Sequence, residues 1–519
     1  MLRKLILLGV ALAFIRPAFA TNDTIKVEGG LISGTAADGV RIYKGIPFAA
    51  PPTGDLRWKA PQPVVHWDGV RQCDTFGPEC PQAPYAAGSI YARPAEKQSE
   101  DCLYLNVWTA ARAGEHRPVM VWIHGGALTR GSGANPVYDG TALAKKGVVL
   151  VSINYRLGPL GYLAHPELTS ESPERSSGNY GVLDQIAALK WVQKNIAAFG
   201  GDPARVTIFG ESAGSWSVNV LVATPLARGL FQRAIGESGA LFNRMAFLKE
   251  DRQGMSSAEK IGAAFAKAAG ADSIKALRAL PADKIIDVFN NDTEGKKFRT
   301  QPNVDGWVLP EEIQSIFAHS KQNDVPVIVG SNANEMTTLT LPATWPKSAE
   351  EYRKRIAAQY GEMVKEFETV YPINNDGDAT TSFLGSARDV AFTLQMRTWA
   401  RLTGTGRSKA YLYFFSHVPP GPNSKTLGAY HASEIAYVFN NLSRVNRPHQ
   451  DVDFKLADTM SSYWVSFAST GDPNASRLPK WTPYDPTSEA YMDFGDAPQV
   501  RNHLLKAQLD FLEQFQKRR

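Results

Sequence analysis

The 519-residue sequence predicts an α/β fold with a mostly parallel central sheet, flanked by helices and with helical insertions above the sheet. Several short apolar runs are rich in Val, Ile and aromatic residues and end at Gly or polar residues, as buried strands of a parallel sheet do. Helical patterns separate these runs, and alternation of strands and helices favours a parallel sheet. The runs lie at 118–126, 148–158, 206–210, 325–332 and 410–415.

The clearest helical pattern lies between the second and third of these runs. Its apolar residues are spaced by three or four positions and therefore share one helix face: Val182, Ile186, Leu189, Val192, Ile196 and Phe199. Gly200 and Gly201 follow and can form the left-handed C-terminal cap. Residues 250–300 and 345–405 are more helical and polar, and we interpret them as the insertions above the sheet.

The first twenty residues have the pattern of a secretory signal peptide. Arg3 and Lys4 precede an apolar run, and Ala18 and Ala20 form an A-x-A cleavage site. The run is shorter than the about 20 apolar residues that a membrane span requires, and no other stretch is long and apolar enough. We expect cleavage after Ala20 and export to the periplasm or the medium.

The net charge, the lack of a basic and aromatic cluster, and the cysteine spacing argue against nucleic-acid binding and against zinc or redox sites. The formal net charge of +5 falls to about +2 without the three cations of the signal segment. Since no Lys/Arg cluster is interleaved with aromatic residues, we expect no nucleic-acid binding. The spacing of Cys73, Cys80 and Cys102 suits neither a zinc ribbon nor a redox C-x-x-C, and three cysteines cannot all pair internally. We expect no metal or cofactor.

The stretch RVTIFGESAGSW at 205–216 contains a G-x-S-x-G motif directly after a β-branched run. Gly210 and Gly214 lack a Cβ, so the backbone can turn sharply between a strand and a helix and expose the hydroxyl of Ser212. A serine in this position is either a plain turn residue or a nucleophile. The strand before it and the small residues after it favour the nucleophile.

A serine hydroxyl is a poor nucleophile near neutral pH and needs a base. His431 stands out among nine histidines because it follows a Gly-containing loop and precedes an apolar helical pattern late in the chain. This position fits the chain order serine, acid, histidine. Glu335, just after the run at 325–332, is our candidate for the acid. Asp305 is a rival, although its DG sequence is more simply a turn.

The segment HGGAL at 124–128 follows directly after an apolar run. Acyl transfer passes through a tetrahedral intermediate whose oxyanion needs backbone N–H donors, and small residues let the backbone approach the substrate. The alternative is a Gly-rich hairpin turn, which the long loop that follows disfavours.

Taken together, these stretches resemble the type-B carboxylesterases, a family that includes the cholinesterases and bacterial p-nitrobenzyl esterase. The similarity covers nearly the whole chain after the first twenty residues and implies one large α/β-hydrolase domain over 21–519. The matching stretches run in family order: YKGIPFAAPPTGDLRW, SEDCLYLNVW, VMVWIHGGAL, VSINYRLGPLGYL, GNYGVLDQIAALKWVQKNIAAFGGDP, VTIFGESAGSWSV and HASEIAYVF.

By position, the resemblance implies Ser212 as the nucleophile, His431 as the base and Glu335 as the acid of a catalytic triad. Met336 departs from the family pattern, in which Gly usually follows the acid. The implied activity is that of a serine carboxylesterase, which hydrolyses small-molecule carboxylic esters with water through an acyl-enzyme. An amidase or acyltransferase with the same triad, and a non-catalytic binding protein of the same fold, are the alternatives. The natural ester and the oligomeric state stay open.

The resemblance also implies residues around the triad. The backbone N–H groups of Gly126, Ala127 and Ala213 would bind the oxyanion, and Glu211 would be a buried carboxylate that tunes the site. Leu128 stands where Phe is frequent in the family, which would reshape the acyl side of the pocket. No aromatic lining like that of a choline gorge can be placed from the sequence.

Two further pairs near the N-terminus match the family pattern. The stretches FGPECPQ and SEDCLYLNV imply a disulfide between Cys80 and Cys102, which leaves Cys73 without a partner. Arg57 and Glu100 match an ion pair near the same loop.

Overall fold

The computed structural model describes residues 24–94, 96–291, 298 and 300–518. The predicted signal segment 1–20 and its cleavage site lie outside these residues.

Within the described residues, the strands form a three-stranded and an eleven-stranded sheet. Their bounds are β1 Ile25–Val27, β2 Gly30–Ser33, β3 Thr35–Ala37, β4 Val40–Pro47, β5 Val70–Gln72, β6 Tyr104–Thr109, β7 Arg117–Ile123, β8 Val149–Ile153, β9 Gly201–Glu211, β10 Arg233–Glu237, β11 Val327–Asn332, β12 Ala410–Phe415, β13 Ala490–Phe494 and β14 Gln499–Asn502.

The α-helices lie between and after these strands. Their bounds are α1 Thr141–Lys145, α2 Gly158–Tyr162, α3 Pro166–Glu171, α4 Tyr180–Asn195, α5 Ala213–Ala223, α6 Ala258–Ala268, α7 Ile274–Ala279, α8 Ala282–Asn291, α9 Ile313–Ala318, α10 Met336–Leu339, α11 Ala349–Tyr360, α12 Val364–Val370, α13 Asp376–Arg388, α14 Leu394–Gly404, α15 Ser424–Leu427, α16 Ile435–Val438, α17 Asp451–Thr470 and α18 Lys506–Lys517. Within the described ranges, every helix is too short or too polar to cross a lipid bilayer.

The large sheet has the strand order β14-β13-β12-β11-β10-β9-β7-β8-β6-β4-β3. All neighbouring pairs from β13 to β8 are parallel. The pairs at the two ends of the sheet are antiparallel. This arrangement confirms the predicted α/β fold with a mostly parallel sheet.

The five predicted runs form β7, β8, β9, β11 and β12, which all lie in the parallel part of the sheet. The predicted helix is α4, which continues as a 3₁₀ turn over Ile196–Phe199. Gly200 ends this turn with φ 83°, so the left-handed cap is also confirmed. Residues 250–300 and 345–405 contain α6 to α8 and α11 to α14, as the polar helical pattern predicted.

Side chains on the two faces of the sheet enter two separate hydrophobic clusters. Val121 and Ile208 point to the face covered by α4. Their chain neighbours Trp122 and Phe209 point to the opposite face, which α17 covers with Trp464. Because neighbouring strand residues alternate between faces and both faces are buried, the central strands have nearly continuous apolar sequences.

Candidate active site

Ser212 occupies a sharp turn between the end of β9 and the start of α5. Its backbone has φ 57° and ψ −123°, a conformation that is strained for a residue with a side chain. The Ser212 N–H donates to the carbonyl of Glu237 at the end of β10, at 2.8 Å. A Cβ at Gly210 or Gly214 would lie 2.5 or 2.0 Å from the Ile123 carbonyl oxygen, so both flanking positions require glycine. The structure therefore builds the turn that the G-x-S-x-G motif predicted.

Glu335 and His431 are brought into contact from two separate loops. Glu335 follows β11, and its Oε1 accepts a hydrogen bond of 2.7 Å from the Asn332 N–H. The other oxygen, Oε2, lies 2.5 Å from Nδ1 of His431. Glu335 is 0% and His431 4% exposed. A carboxylate fixed in this way orients the imidazole and holds the proton on Nδ1.

Two asparagines join the loop of Glu335 to the loop of His431. The Asn334 N–H donates to the Ala429 carbonyl at 2.9 Å, and the Ala429 N–H returns a 3.0 Å bond to Asn334 Oδ1. Asn332 Nδ2 donates to the Tyr430 carbonyl at 2.9 Å. The sequence analysis did not identify these residues, although the SNAN sequence at 331–334, which spans the end of β11 and the start of the loop, is a signal for such loop contacts.

The imidazole of His431 faces Glu211 as well as Glu335. Nε2 lies 3.1 Å from Glu211 Oε1, but the geometry is not that of a hydrogen bond, and this oxygen has no hydrogen-bond partner among the described residues. Within the same residues, the Ser212 hydroxyl forms no hydrogen bond with His431. Both nevertheless line the same cavity. A serine–histidine hydrogen bond often tightens only when the substrate is bound.

Two aromatic residues hold the His431 segment in place. The Phe392 ring lies 5.0 Å from the imidazole, measured between centroids. Phe392 belongs to a π-helical turn, Asp389–Thr393, that joins α13 to α14. The Tyr91 hydroxyl donates to the His431 carbonyl at 2.9 Å. Neither residue was identified from the sequence, because both are distant in the chain from His431.

The HGGAL segment forms a loop of three successive left-handed residues after β7. Gly126, Ala127 and Leu128 have φ values of 101°, 57° and 59°. The N–H groups of Gly126, Ala127 and Ala213 have no acceptor among the described residues, and Ala213 is the first residue of α5. Gly126 and Ala127 line the cavity that contains Ser212, whereas Leu128 is 1% exposed and belongs to the core. Leu128 does not line the cavity, so it does not reshape the pocket wall directly.

Four buried glutamates lie in or behind the site, and three of them, Glu211, Glu335 and Glu434, act directly on the charge of the imidazole. Burial opposes a charge on His431, but the carboxylates of Glu211 and Glu335 outweigh it and raise the pKa of His431 to about 9. Burial raises the pKa of Glu434 to about 7, and the charge on Glu335 adds to the effect. Burial also raises the pKa values of Glu211 and Glu237 well above the usual range. The sequence analysis named only Glu211 and Glu335 of this group.

The cavity above Ser212 has a volume of about 820 Å³. No aromatic lining could be placed from the sequence, whereas the structure places five tyrosines on its wall: Tyr85, Tyr91, Tyr138, Tyr430 and Tyr437. They come from three distant segments of the chain, around 85–91, 138 and 430–437, so no single local pattern revealed this lining.

The rival acid, Asp305, has a structural role. Its Oδ1 accepts hydrogen bonds from the N–H groups of Trp307 at 3.1 Å and Leu309 at 2.9 Å. The other oxygen, Oδ2, accepts from the Ser176 hydroxyl. Asp305 does not line the cavity, so the turn interpretation of the DG sequence is the one the geometry favours.

The disulfide that the resemblance implied is present. Cys80 and Cys102 are bonded, while Cys73 is free and buried. Burial raises the pKa of Cys73 to about 11, which keeps the thiol protonated. Next to the disulfide, Arg57 pairs with Glu100 through contacts of 2.5 and 2.6 Å.

Comparison with known proteins places the chain in a family. The sequence profile of the carboxylesterase family matches residues 21–512. The chain is 38% identical to fumonisin B1 esterase of Sphingopyxis macrogoltabida, covering 92% of this chain and 88% of that one. It is 35% identical to para-nitrobenzyl esterase of Bacillus subtilis (strain 168), covering 89% and 93%. A solved structure of a thermophilic PNB esterase superposes with a TM-score of 0.82 at 33% identity, covering 94% and 99%. The chain therefore belongs to the carboxylesterase family and is a carboxylic ester hydrolase with the α/β-hydrolase fold.

Proposed function

We propose that the protein is a serine carboxylesterase in which Ser212, His431 and Glu335 form a catalytic triad. The observation that carries the proposal is the 2.5 Å contact between Glu335 and His431, because His431 lines the same cavity as the strained turn of Ser212. A buried carboxylate, an oriented imidazole and a serine at a strand-to-helix turn that faces the cavity are the parts that this chemistry needs.

In the first step, His431 Nε2 takes the hydroxyl proton as Ser212 Oγ attacks the carbonyl carbon of the ester. Glu335 holds the proton on Nδ1, so that Nε2 is the free base, and stabilises the imidazolium that forms. The negative charge moves to the carbonyl oxygen. The intermediate collapses when the C–O bond to the alcohol breaks and the alcohol leaves with the proton from Nε2. The acyl group stays on Ser212.

In the second step, water replaces the alcohol. His431 takes a proton from the water molecule as the water oxygen attacks the acyl carbon, and the second intermediate releases Ser212, which recovers its proton from Nε2. The products are a carboxylic acid and an alcohol, and the enzyme returns to its starting state.

In both intermediates, the N–H groups of Gly126, Ala127 and Ala213 are proposed to donate hydrogen bonds to the oxyanion. Support comes from their lack of other acceptors and from the position of the first two on the cavity wall. Donors that are already fixed stabilise the charge without reorganisation when it develops. Glu211, 3.1 Å from Nε2, would stabilise the imidazolium in the same intermediates.

The test compares p-nitrophenyl butyrate with its matched amide, p-nitrobutyranilide. We expect hydrolysis of the ester, with the anilide cleaved at least a thousandfold more slowly, and a loss on the order of 10⁶ in kcat for Ser212→Ala. Ser433→Ala is the matched control, since Ser433 lines the same cavity and has no proposed role in the chemistry. Faster cleavage of the anilide would favour an amidase. Absence of turnover would favour a binding protein. Fumonisin B1, from the name of the Sphingopyxis relative, belongs in the wider ester panel.

Export and domain organisation are further proposals about this chain. The Cys80–Cys102 disulfide suits an oxidising compartment, and the family profile extends without division from residue 21 to 512. We propose that residues 1–20 are removed on export and that 21–519 form one domain. N-terminal sequencing of protein recovered from periplasmic and culture fractions tests the cleavage, with Thr21 as the expected first residue.

A further inference from the structure

The wall of the cavity above Ser212 is rich in arginine. Arg93, Arg130, Arg444 and Arg447 all line it. Among the described residues that line the cavity, the one acidic side chain is Glu211, which is 3% exposed and contacts His431. The open part of the cavity therefore has a strongly positive wall.

Two of the four arginines are balanced by carboxylates just behind the wall. Arg93 Nη2 lies 2.5 Å from Glu79 Oε1, and Glu79 is itself buried. Arg444 Nη2 lies 3.3 Å from Asp139 Oδ2. These two guanidinium groups serve as partners of the protein's own acids and leave little charge free for a ligand.

The other two, Arg130 and Arg447, have no such partner. Within the described residues, neither guanidinium has a carboxylate oxygen within ion-pair distance. Arg130 lies over the ring of Tyr85 at 5.1 Å, and Arg447 lies over the ring of Tyr430, also at 5.1 Å. Arg130 donates to the carbonyl of residue 84 at 3.4 Å and Arg447 to that of residue 420 at 3.0 Å, and Arg447 also interacts with the Tyr430 hydroxyl. Stacking on tyrosine holds each guanidinium plane in place while its charge stays uncompensated.

Both unpaired arginines contact the segments that carry the proposed chemistry. The N–H of Arg130 donates to the carbonyl of Gly126 at 3.1 Å, which ties this residue to the oxyanion loop. Arg447 stacks on Tyr430, the residue directly before His431. A ligand whose carbonyl reaches Ser212 is thus exposed to both charges.

We propose that this enzyme prefers esters that carry a free carboxylate, in the acyl or the alcohol part, and that Arg130 and Arg447 bind this group. The inference rests on the proposed esterase function and names the substrate class of the same site. A guanidinium presents a planar fork of donors that matches a carboxylate, and such charge-assisted hydrogen bonds are stronger than neutral ones. A neutral ester leaves both charges uncompensated.

Two pairs of substrates test the preference. In one pair the acyl part carries the charge: p-nitrophenyl hydrogen adipate against methyl p-nitrophenyl adipate. In the other pair the alcohol part carries it: 4-acetoxybenzoate against methyl 4-acetoxybenzoate. We expect kcat/KM to be at least tenfold higher for the anionic member in at least one pair, and this ratio to fall as salt is added. A ratio of one or below in both pairs would overturn the inference.

Substitutions then assign the preference to residues. In Arg130→Gln and Arg447→Gln the ratio of anionic to neutral kcat/KM should fall by about 10- to 100-fold, and Arg447→Lys should restore part of it. Arg407→Gln is the matched control, because Arg407 is an exposed arginine before β12, away from the cavity, and pairs with Asp324. A ratio unchanged in both glutamine variants would contradict the assignment.

The same measurements distinguish failure of the carboxylate preference from failure of the proposed esterase function. Cleavage of the neutral esters that depends on Ser212, together with a ratio of one or below, would overturn the carboxylate preference alone. Failure to hydrolyse any of the four esters would overturn the proposed function and this inference with it.

Discussion

The Nδ1 atom of His431 lies 2.5 Å from Oε2 of Glu335, although 96 positions separate the two residues in the chain. The contact is possible because β9, β10, β11 and β12 are parallel neighbours, so the segments that follow them leave the same edge of the sheet. Asn334 then joins the two loops through its hydrogen bonds to Ala429.

The contact between Glu335 and His431 predicts a large effect of Glu335→Gln on catalysis. The amide cannot stabilise the imidazolium and favours the wrong tautomer, so kcat should fall by about 10⁴. Steady-state kinetics with p-nitrophenyl butyrate measures the loss, and circular dichroism checks the fold. Glu350→Gln, at an exposed helix position, should behave as wild type. A variant at Glu335 that kept more than a tenth of the wild-type kcat would contradict the triad assignment.

The pKa of His431, raised to about 9, predicts an enzyme that works best at alkaline pH. The imidazole must be neutral to accept the serine proton, so kcat/KM should increase about tenfold per pH unit below 9 and level off above it. The measurement is a pH profile of kcat/KM between pH 6 and 10 with a substrate that does not titrate.

Glu211→Gln provides the matched variant for this profile. Loss of the carboxylate 3.1 Å from Nε2 makes the imidazolium less favourable and lowers the pKa of His431. The rising limb should therefore move to lower pH in this variant. A limb that stays in place, or moves to higher pH, would show that Glu211 does not hold the charge on His431.

In the HGGAL loop at 124–128, which we propose binds the oxyanion, we predict that Gly126 cannot be replaced by a residue with a side chain. Its φ is 101°, and a Cβ would lie 2.2 Å from the Arg130 carbonyl oxygen, so Gly126→Ala must displace the loop and its N–H groups. We expect kcat to fall by roughly 10²–10³. Gly147→Ala is the control, because Gly147 has a φ of 104° and open space around it. Equal losses of kcat in the two variants would mean that backbone strain alone, and not the oxyanion site, explains the effect.

Removal of the disulfide should lower the free energy of unfolding without lowering kcat. The bridge joins residues 22 positions apart, and in the chain-entropy model a loop of this size contributes about 3 kcal/mol to the free energy of unfolding. The double variant Cys80→Ala/Cys102→Ala should unfold at lower urea concentration and keep its kcat under native conditions. Cys73→Ala, which removes no bridge, is the comparison. An unchanged urea midpoint in the double variant would contradict this role.

The features of the fold and site that were predicted from the sequence are those marked by a short, continuous sequence pattern. The strands at the centre of the sheet are continuous apolar runs because both faces are covered, and Ser212 lies in a motif whose glycines are required by contacts with Ile123. The antiparallel ends of the sheet were not predicted. Strands such as β3 and β14 have exposed residues throughout and no apolar pattern.

The residues that were missed act through contacts between distant segments. Phe392, which lies in the π-helical turn between α13 and α14, packs on His431 across 39 positions of sequence. Glu237 joins the buried carboxylates because β10 pairs with β9 in register with Glu211. Arg447 lies on the cavity wall because its segment packs against Tyr430, and the residues next to it in sequence do not indicate an anion site.

The most direct test of the central claim is to locate the covalent bond that a fluorophosphonate probe forms with the enzyme. We expect one adduct per chain, mapped by mass spectrometry to the peptide that contains Ser212, retained in Ser433→Ala and lost in Ser212→Ala. An adduct on another residue, or undiminished labelling of Ser212→Ala, would show that Ser212 is not the nucleophile.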